Sequence, residues 1–158
     1  MALIVRSDRR PGDNALIVTL HAEGYAPLGP RFAGVAEHVD HLVQETVLDG
    51  SDRSRVFFAE LNGEAIACAA MIDRGNEGQL RWVVALPEAR GLGAGRAMLD
   101  AALAYARTLD WPSVYLETTD GLEASMALYT KAGFNIISDE PDEHGHGFGR
   151  HIVMRKTL

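Results

Sequence analysis

Residues 82–109, WVVALPEARGLGAGRAMLDAALAYARTL, constrain this chain more than any other stretch, because an apolar run there meets a glycine-rich turn and then an alanine-rich helical pattern. Residues 82–86 read as a strand. Over 93–109, Ala97, Met98, Leu99, Ala102, Leu103 and Ala106 recur at helical spacing and form an apolar face small enough to pack closely on a sheet. Gly91, Gly93 and Gly95 lack a Cβ, so the backbone between strand and helix is free to turn sharply and to approach a ligand. The first N–H groups of the following helix point into that turn, and the helix dipole favours negative charge there. Arg90 and Arg96 bracket it with guanidinium donors suited to phosphate oxygens. The expected ligand is a polyphosphate; a strand-to-helix connection without a ligand is the alternative.

Spacing separates the familiar phosphate loops. A dinucleotide fingerprint begun at Gly91 and Gly93 requires a small residue where Arg96 stands, and the Walker loop requires a Gly-Lys-Ser/Thr ending that is absent. What remains is Arg-x-x-Gly-x-Gly over 90–95, three residues after Pro87.

The preceding segments read as a scaffold for that turn. Residues 3–6 form a short first strand, and the polar cluster 7–14 leads into a helix over 15–22 with Asp13 or Asn14 placed to cap it. Two prolines and two glycines over 24–30 break any helix, leaving a loop that either covers a substrate site or merely connects. Val35, Val39, Leu42, Val43 and Val47 mark a helix over 32–48, ended by Asp49 and Gly50. His38 and His41, three apart on roughly one face of it, read as a solvated pair rather than metal ligands. Asn62-Gly63 between the apolar runs 55–60 and 64–73 is a strong hairpin signal. A second turn over 74–78 then delivers the strand 79–86, completing an antiparallel meander.

Asp110, Trp111 and Pro112 end the crossover helix, so 114–118 should be a strand parallel to the one that feeds the glycine turn. Residues 122–134, LEASMALYTKAGF, read as a short helix ended by Gly133, followed by a strand over 134–138. A polar stretch over 139–149 connects to a final strand over 150–156.

The 158 residues suit one domain over 1–158. No apolar run approaches the roughly 18 residues that span a bilayer, and the opening MALIVRSDRR lacks the form of a signal peptide. The expectation is a cytoplasmic protein with no membrane partner. A formal charge of −7 argues against a nucleic-acid partner and mildly favours an amine-bearing substrate. Cys68, the one cysteine, lies in the apolar run AIACAAMI and reads as a buried thiol with no catalytic part.

The glycine turn resembles the acetyl-CoA pyrophosphate loop of the GCN5-related N-acetyltransferase (GNAT) superfamily, V-x-P-x-x-R-G-x-G-x-G. Here it is Ala85, Pro87, Arg90, Gly91, Gly93 and Gly95, with alanine in place of the usual valine. Residues 122–134 are similar to that superfamily's N-x-x-A-x-x-L-Y-x-x-x-G-F. The matches are Ala127, Leu128, Tyr129, Gly133 and Phe134, with latitude at the alanine, while Leu122 stands where asparagine is common.

The resemblance implies an α/β fold with a mixed sheet of about seven mostly antiparallel strands and about four flanking helices. A central parallel pair of strands should splay to bind acetyl-CoA. It also implies acetyl transfer from acetyl-CoA to a primary amine by direct attack. Tyr129 is then the general acid for the departing thiolate. The implied cofactor contacts are Val84, Ala85, Leu86, Arg90, Gly91, Leu92, Gly93, Ala94, Gly95, Arg96, Ser125 and Tyr129, with no metal expected. A small-molecule amine is favoured as acceptor over a protein lysine or N-terminus, and a non-catalytic acyl-CoA-sensing module is the alternative from another class. For the base, Glu117 reads as structural, and Glu77, Gln79 and Arg81 lie on or before the loop-feeding strand without a choice among them. Residues 141–149 look similar to a turn in acetyltransferase modules fused to MarR-type regulators. His144 and His146 there read first as a solvated loop, with substrate or metal contact as alternatives. The final strand offers a route to a homodimer.

Overall fold

In the computed structural model, which describes residues 2–46, 51–142 and 149–158, the hairpin signal is realised directly. Asn62 and Gly63 take φ of 53° and 82°, the paired left-handed conformation whose twist matches that of the flanking strands. They join β2 (Arg55–Leu61) to β3 (Glu64–Asp73), with Leu61 and Glu64 as the closing pair. β1 (Ile4–Arg6) lies antiparallel to β2 on its other edge. β4 (Gly78–Ala85) follows antiparallel to β3, so the expected meander is present.

α3 (Ala94–Arg107) then carries the chain across to β5 (Ser113–Thr118), which runs parallel to β4. α4 (Glu123–Lys131), β6 (Asn135–Pro141) and β7 (Arg150–Thr157) complete the order. The described residues form one seven-stranded sheet, β1-β2-β3-β4-β5-β7-β6, in which only β4 and β5 are parallel. β7 inserts between β5 and β6 and is paired along both edges, so it has no free edge for a second chain. The route to a homodimer through pairing of the final strand is therefore closed; the sheet's edges are β1 and β6.

β3 is covered on both faces. Ala67, Cys68, Ala69, Ala70 and Met71 have no exposed surface, and their small side chains let α3 lie close, with Met98, Leu99, Ala102 and Ala106 equally buried. On the first helical layer, α1 (Asp13–Tyr25) packs on α2 (Val35–Glu45) and on β4. Asp13 does not cap α1. Gly12 holds the N-cap position without a side-chain bond, and the Asp13 carboxylate instead receives the Arg6 guanidinium at 2.9 and 3.2 Å. Arg6 also reaches Glu60 at 3.2 Å, so this buried cation ties β1, α1 and β2 together. Its hydrogen bond to Asp13 is the largest influence raising the Arg6 pKa, while Asp13 itself is held below the usual carboxylate range because its hydrogen bonds and the arginines outweigh desolvation.

Gly24 does not break the helix either. α1 continues through it to Tyr25, and a methyl group at Gly24 would lie 2.5 Å from Val84 Cγ2 and 3.5 Å from the Ala85 carbonyl oxygen. The glycine permits close helix-to-strand contact rather than a stop. Short 3-10 turns at Ala26–Leu28 and Pro30–Phe32 then lead to α2, which starts at Val35 rather than 32 and ends at Glu45. Val47, Leu48, Asp49 and Gly50 lie outside the described residues. No helix among the described residues is long and apolar enough to cross a membrane.

Candidate active site

β4 is bulged where it leaves β5. Its pairing with β3 passes from Arg81↔Ala70 to Val84↔Cys68, so Trp82 and Val83 oppose Ala69 alone, and Trp82 takes a φ of 51° that bulky residues rarely adopt. The Cys68 thiol donates to the Trp82 carbonyl at 3.1 Å. Full burial pushes that thiol well above its ordinary pKa and leaves it an inert core group. On the other edge, β4 pairs with β5 only at Gly78↔Val114, Gln79↔Tyr115 and Leu80↔Leu116. Beyond Leu80 the two strands part, and a cleft of about 410 Å³ opens between them. His21 and Tyr25 of α1, His38 and Val39 of α2, Glu117 of β5 and Tyr129 of α4 all face it.

Tyr129 is 7% exposed. Gly133, at φ 101°, ends α4, and the Phe134 N–H returns to the Tyr129 carbonyl at 3.1 Å. The Phe134 ring stands edge-on to the phenol, with centroids 6.1 Å apart. Burial, reinforced by Tyr25, drives the phenol above the ordinary tyrosine range, and a hydrogen bond with Ser125 offsets part of that shift. The hydroxyl therefore keeps its proton at neutral pH. Counted back from Leu128, the alanine of the motif falls on Ser125 and not on Ala127; Ala127 is exposed, whereas Ser125 lines the cleft. Leu122 holds the N-cap of α4 without a side-chain bond, so nothing there replaces the asparagine amide.

The glycine turn adopts the geometry its composition requires. Gly91 and Gly93 have φ of 80° and 73°, both with open space where a Cβ would stand. The first bond of α3 runs from the Ala97 N–H to the Gly93 carbonyl at 2.9 Å, leaving the N–H groups of Ala94, Gly95 and Arg96 outside the helical ladder. A Cβ on Gly95 would meet Leu128 Cδ2 at 3.6 Å, so the turn abuts α4 one residue from Tyr129. Leu92 is exposed and Ala94 buried. Arg90 is exposed and in no ion pair among the described residues, whereas Arg96 pairs with Asp100 at 3.0 Å. Val84 and Ala85 pair with β3, and the Leu86 N–H donates to the Ile66 carbonyl at 2.8 Å. These residues fit a diphosphate: unladdered N–H groups, a helix N-terminus and one uncommitted guanidinium.

The candidate bases separate cleanly. Glu77 is held by Arg155 at 3.0 and 3.1 Å and accepts the Ser113 hydroxyl, away from the cleft. Gln79 and Arg81 line the cleft but have no basic oxygen or nitrogen at neutral pH. Glu117 lines it too, 3.3 Å from His151 Nε2. His38 and His41 do not share an environment: His38 faces the cleft, and His41 is exposed beside Glu45 at 3.2 Å. His144 and His146 lie outside the described residues. Among the described residues no group of three or more His, Cys, Asp or Glu side chains is placed to hold a metal. Reading the sequence missed His21 and His151. His21 is buried with Nδ1 donating to the Ile17 carbonyl at 2.7 Å, and burial lowers its pKa to about 4, so it is neutral.

Residues 26–134 match the model of the acetyltransferase (GNAT) family. This chain belongs to the GNAT family. The span includes the glycine turn, the splayed strands and Tyr129, and the family implies acyltransferase activity. The fold is that of GNAT structures. One, a GNAT-family acetyltransferase from Desulfovibrio desulfuricans, is 19% identical with a TM-score of 0.79 over 99% of both chains. A ribosomal-protein-alanine N-acetyltransferase from Brucella melitensis is 21% identical with a TM-score of 0.73, over 98% of this chain and 99% of that one. An IAA acetyltransferase from Bacillus cereus is 17% identical with a TM-score of 0.71, over 99% of this chain and 100% of the other. No curated protein matches the chain.

Proposed function

We propose that the protein is an acetyl-CoA-dependent N-acetyltransferase that acts on a small primary amine in the cytoplasm, with residues 1–158 forming one catalytic domain. The observation that carries this reading is the placement of Tyr129. A phenol kept protonated by burial stands at the cleft between the splayed strands, on the helix that abuts the diphosphate-binding turn. Bound with its diphosphate on residues 90–96, acetyl-CoA supplies a thioester carbonyl to the attacking amine. Tyr129 Oη donates its proton to the sulfur as the C–S bond breaks and the C–N bond forms. Glu117, beside His151, takes the proton that the amine must lose. Val84, Ala85 and Leu86 join the cleft wall at Val83 to the turn along the chain, and Ser125 orients the phenol. A module that only sensed acyl-CoA would have no use for a buried acid at this position.

A cleft of about 410 Å³ flanked by α1, α2 and α4 favours a small acceptor over a folded protein surface. Acetyl-CoA at millimolar concentration is expected to raise the melting temperature, whereas NADH and ATP leave it in place. Absence of stabilisation by acetyl-CoA overturns this reading.

A further inference from the structure

Arg81 and Glu117 face one another across the first rung at which β4 and β5 no longer pair. Leu80↔Leu116 is the last rung of the parallel ladder. The next residue on each strand therefore directs its side chain to the same face, and both line the cleft. The two attract electrostatically but form no ion pair with each other. Arg81 donates one long bond, 3.4 Å, to the Thr46 hydroxyl and lies 5.5 Å over the Trp82 ring. No carboxylate among the described residues lies within ion-pair distance of Arg81; Glu117 is occupied only by His151, at 3.3 Å. A half-buried guanidinium with no carboxylate in contact, repelled by nearby Arg74 and drawn only at a distance by Glu117 and Glu45, is costly to keep. Beside it, the Trp82 indole N–H is the one buried side-chain polar atom without a partner among the described residues. A loosely held guanidinium and an unpartnered indole N–H thus sit on adjacent residues that line the cleft, across from a carboxylate.

Resting on the acetyl-transfer reading, we propose that the acceptor is an amino acid or similar small molecule bearing a carboxylate close to its amino group. The carboxylate seats on the Arg81 fork, a planar donor pair matched to two oxygens. The ammonium then falls toward Glu117, which removes its proton before attack. Opposite charges on facing strands, not paired with each other, complement a zwitterion whose charges are separated by a single carbon. A simple alkyl amine leaves Arg81 without its anion, and a polycation sets like charge against it. Arg81 is a specificity-determining residue in this reading.

The test is the initial rate of thiol release from acetyl-CoA by the purified full chain. The probes are matched sets: each common α-amino acid, its α-amide and its decarboxylated amine. For the best acceptor, kcat/KM is expected to fall at least about 10-fold from acid to amide, chiefly through KM, as for loss of a charge-assisted contact in a desolvated site. Arg81→Gln is expected to bring the acid-to-amide ratio toward one, and Arg81→Lys to restore part of it. The wild-type ratio is decisive even if Arg81→Gln fails to fold. Amides or decarboxylated amines that match or exceed the acids overturn the carboxylate site while leaving acetyl transfer intact. Acetyl-CoA stabilisation without thiol release by any acid also overturns it. No stabilisation and no release with any probe overturns acetyl transfer itself, and the carboxylate site with it.

Discussion

The two edges of β4 have opposite fates. Along one, Gly78 to Ala85 is laddered to β3, interrupted only by the bulge at Trp82 and Val83. Along the other, three pairs with β5 end at Leu80, and the next three residues of β4, Arg81, Trp82 and Val83, line a cleft instead of pairing with a strand. One strand thus serves as core and as site wall, and the bulge marks where the second role begins. Perturbing the open edge should change rate and binding with little loss of fold. Perturbing the closed region should do the reverse.

The largest effect belongs to the open side. Tyr129→Phe should lower kcat by about 10²- to 10⁴-fold at neutral pH, the usual worth of a positioned acid, while thermal melts stay near wild type. A rate within a few-fold of wild type removes Tyr129 from the chemistry. Next comes pH. His21 is neutral in the folded protein with a pKa of about 4, against the ordinary histidine value of 6.5. The unfolded chain binds this proton first, so stability is full above about pH 6.5 and is lost as pH falls toward 4, by up to about 3 kcal/mol. Urea midpoints from pH 4 to 8 report it, and His21→Gln should flatten the curve in that window.

A change to the closed region tests the other half of the comparison. At Gly78, in the last stretch where both edges of β4 are paired, a methyl group would lie 2.6 Å from Trp111 Cζ3 and 2.9 Å from Met71 Sδ. Gly78→Ala should cost about 1–3 kcal/mol of unfolding free energy and leave the KM for acetyl-CoA unchanged in the folded fraction. The smallest effect is expected at the turn. Gly93→Ala meets open space, so only its φ of 73° is penalised. About 1 kcal/mol of strain should raise the KM for acetyl-CoA roughly five-fold, with kcat nearly unaltered.

Local signals carried much of this into the sequence. Asn62-Gly63 announced a hairpin because two left-handed residues leave few alternatives, and Gly91, Gly93 and Gly133 occupy left-handed positions for the same reason. Tyr129 was singled out through its motif, and the structure sets it in the cleft wall. What escaped depends on partners distant in the chain. Nothing near Trp82 announces a left-handed tryptophan, since the bulge follows from pairing with β3 and from parting with β5. Gly24 read as a helix breaker because its reason for being glycine is Val84, sixty residues later. Asp13 read as a cap because its partner Arg6 belongs to another element. Likewise Glu117 read as structural and Arg81 as one name among several, for their meeting is a property of the register between β4 and β5 alone.

That register also has a mechanical side. The sheet is two blades, β1-β2-β3-β4 and β5-β7-β6, fastened at one end by Gly78 to Leu80 and their partners Val114 to Leu116. Each blade is stiffened by its own antiparallel ladders, so widening the gap is a rotation about a short pivot and stretches no ladder within either blade. The pivot lies under Trp111, whose indole N–H holds the Gly75 carbonyl at 3.3 Å and whose ring covers Gly78. Trp111 thereby packs on the rungs that hold the two blades together.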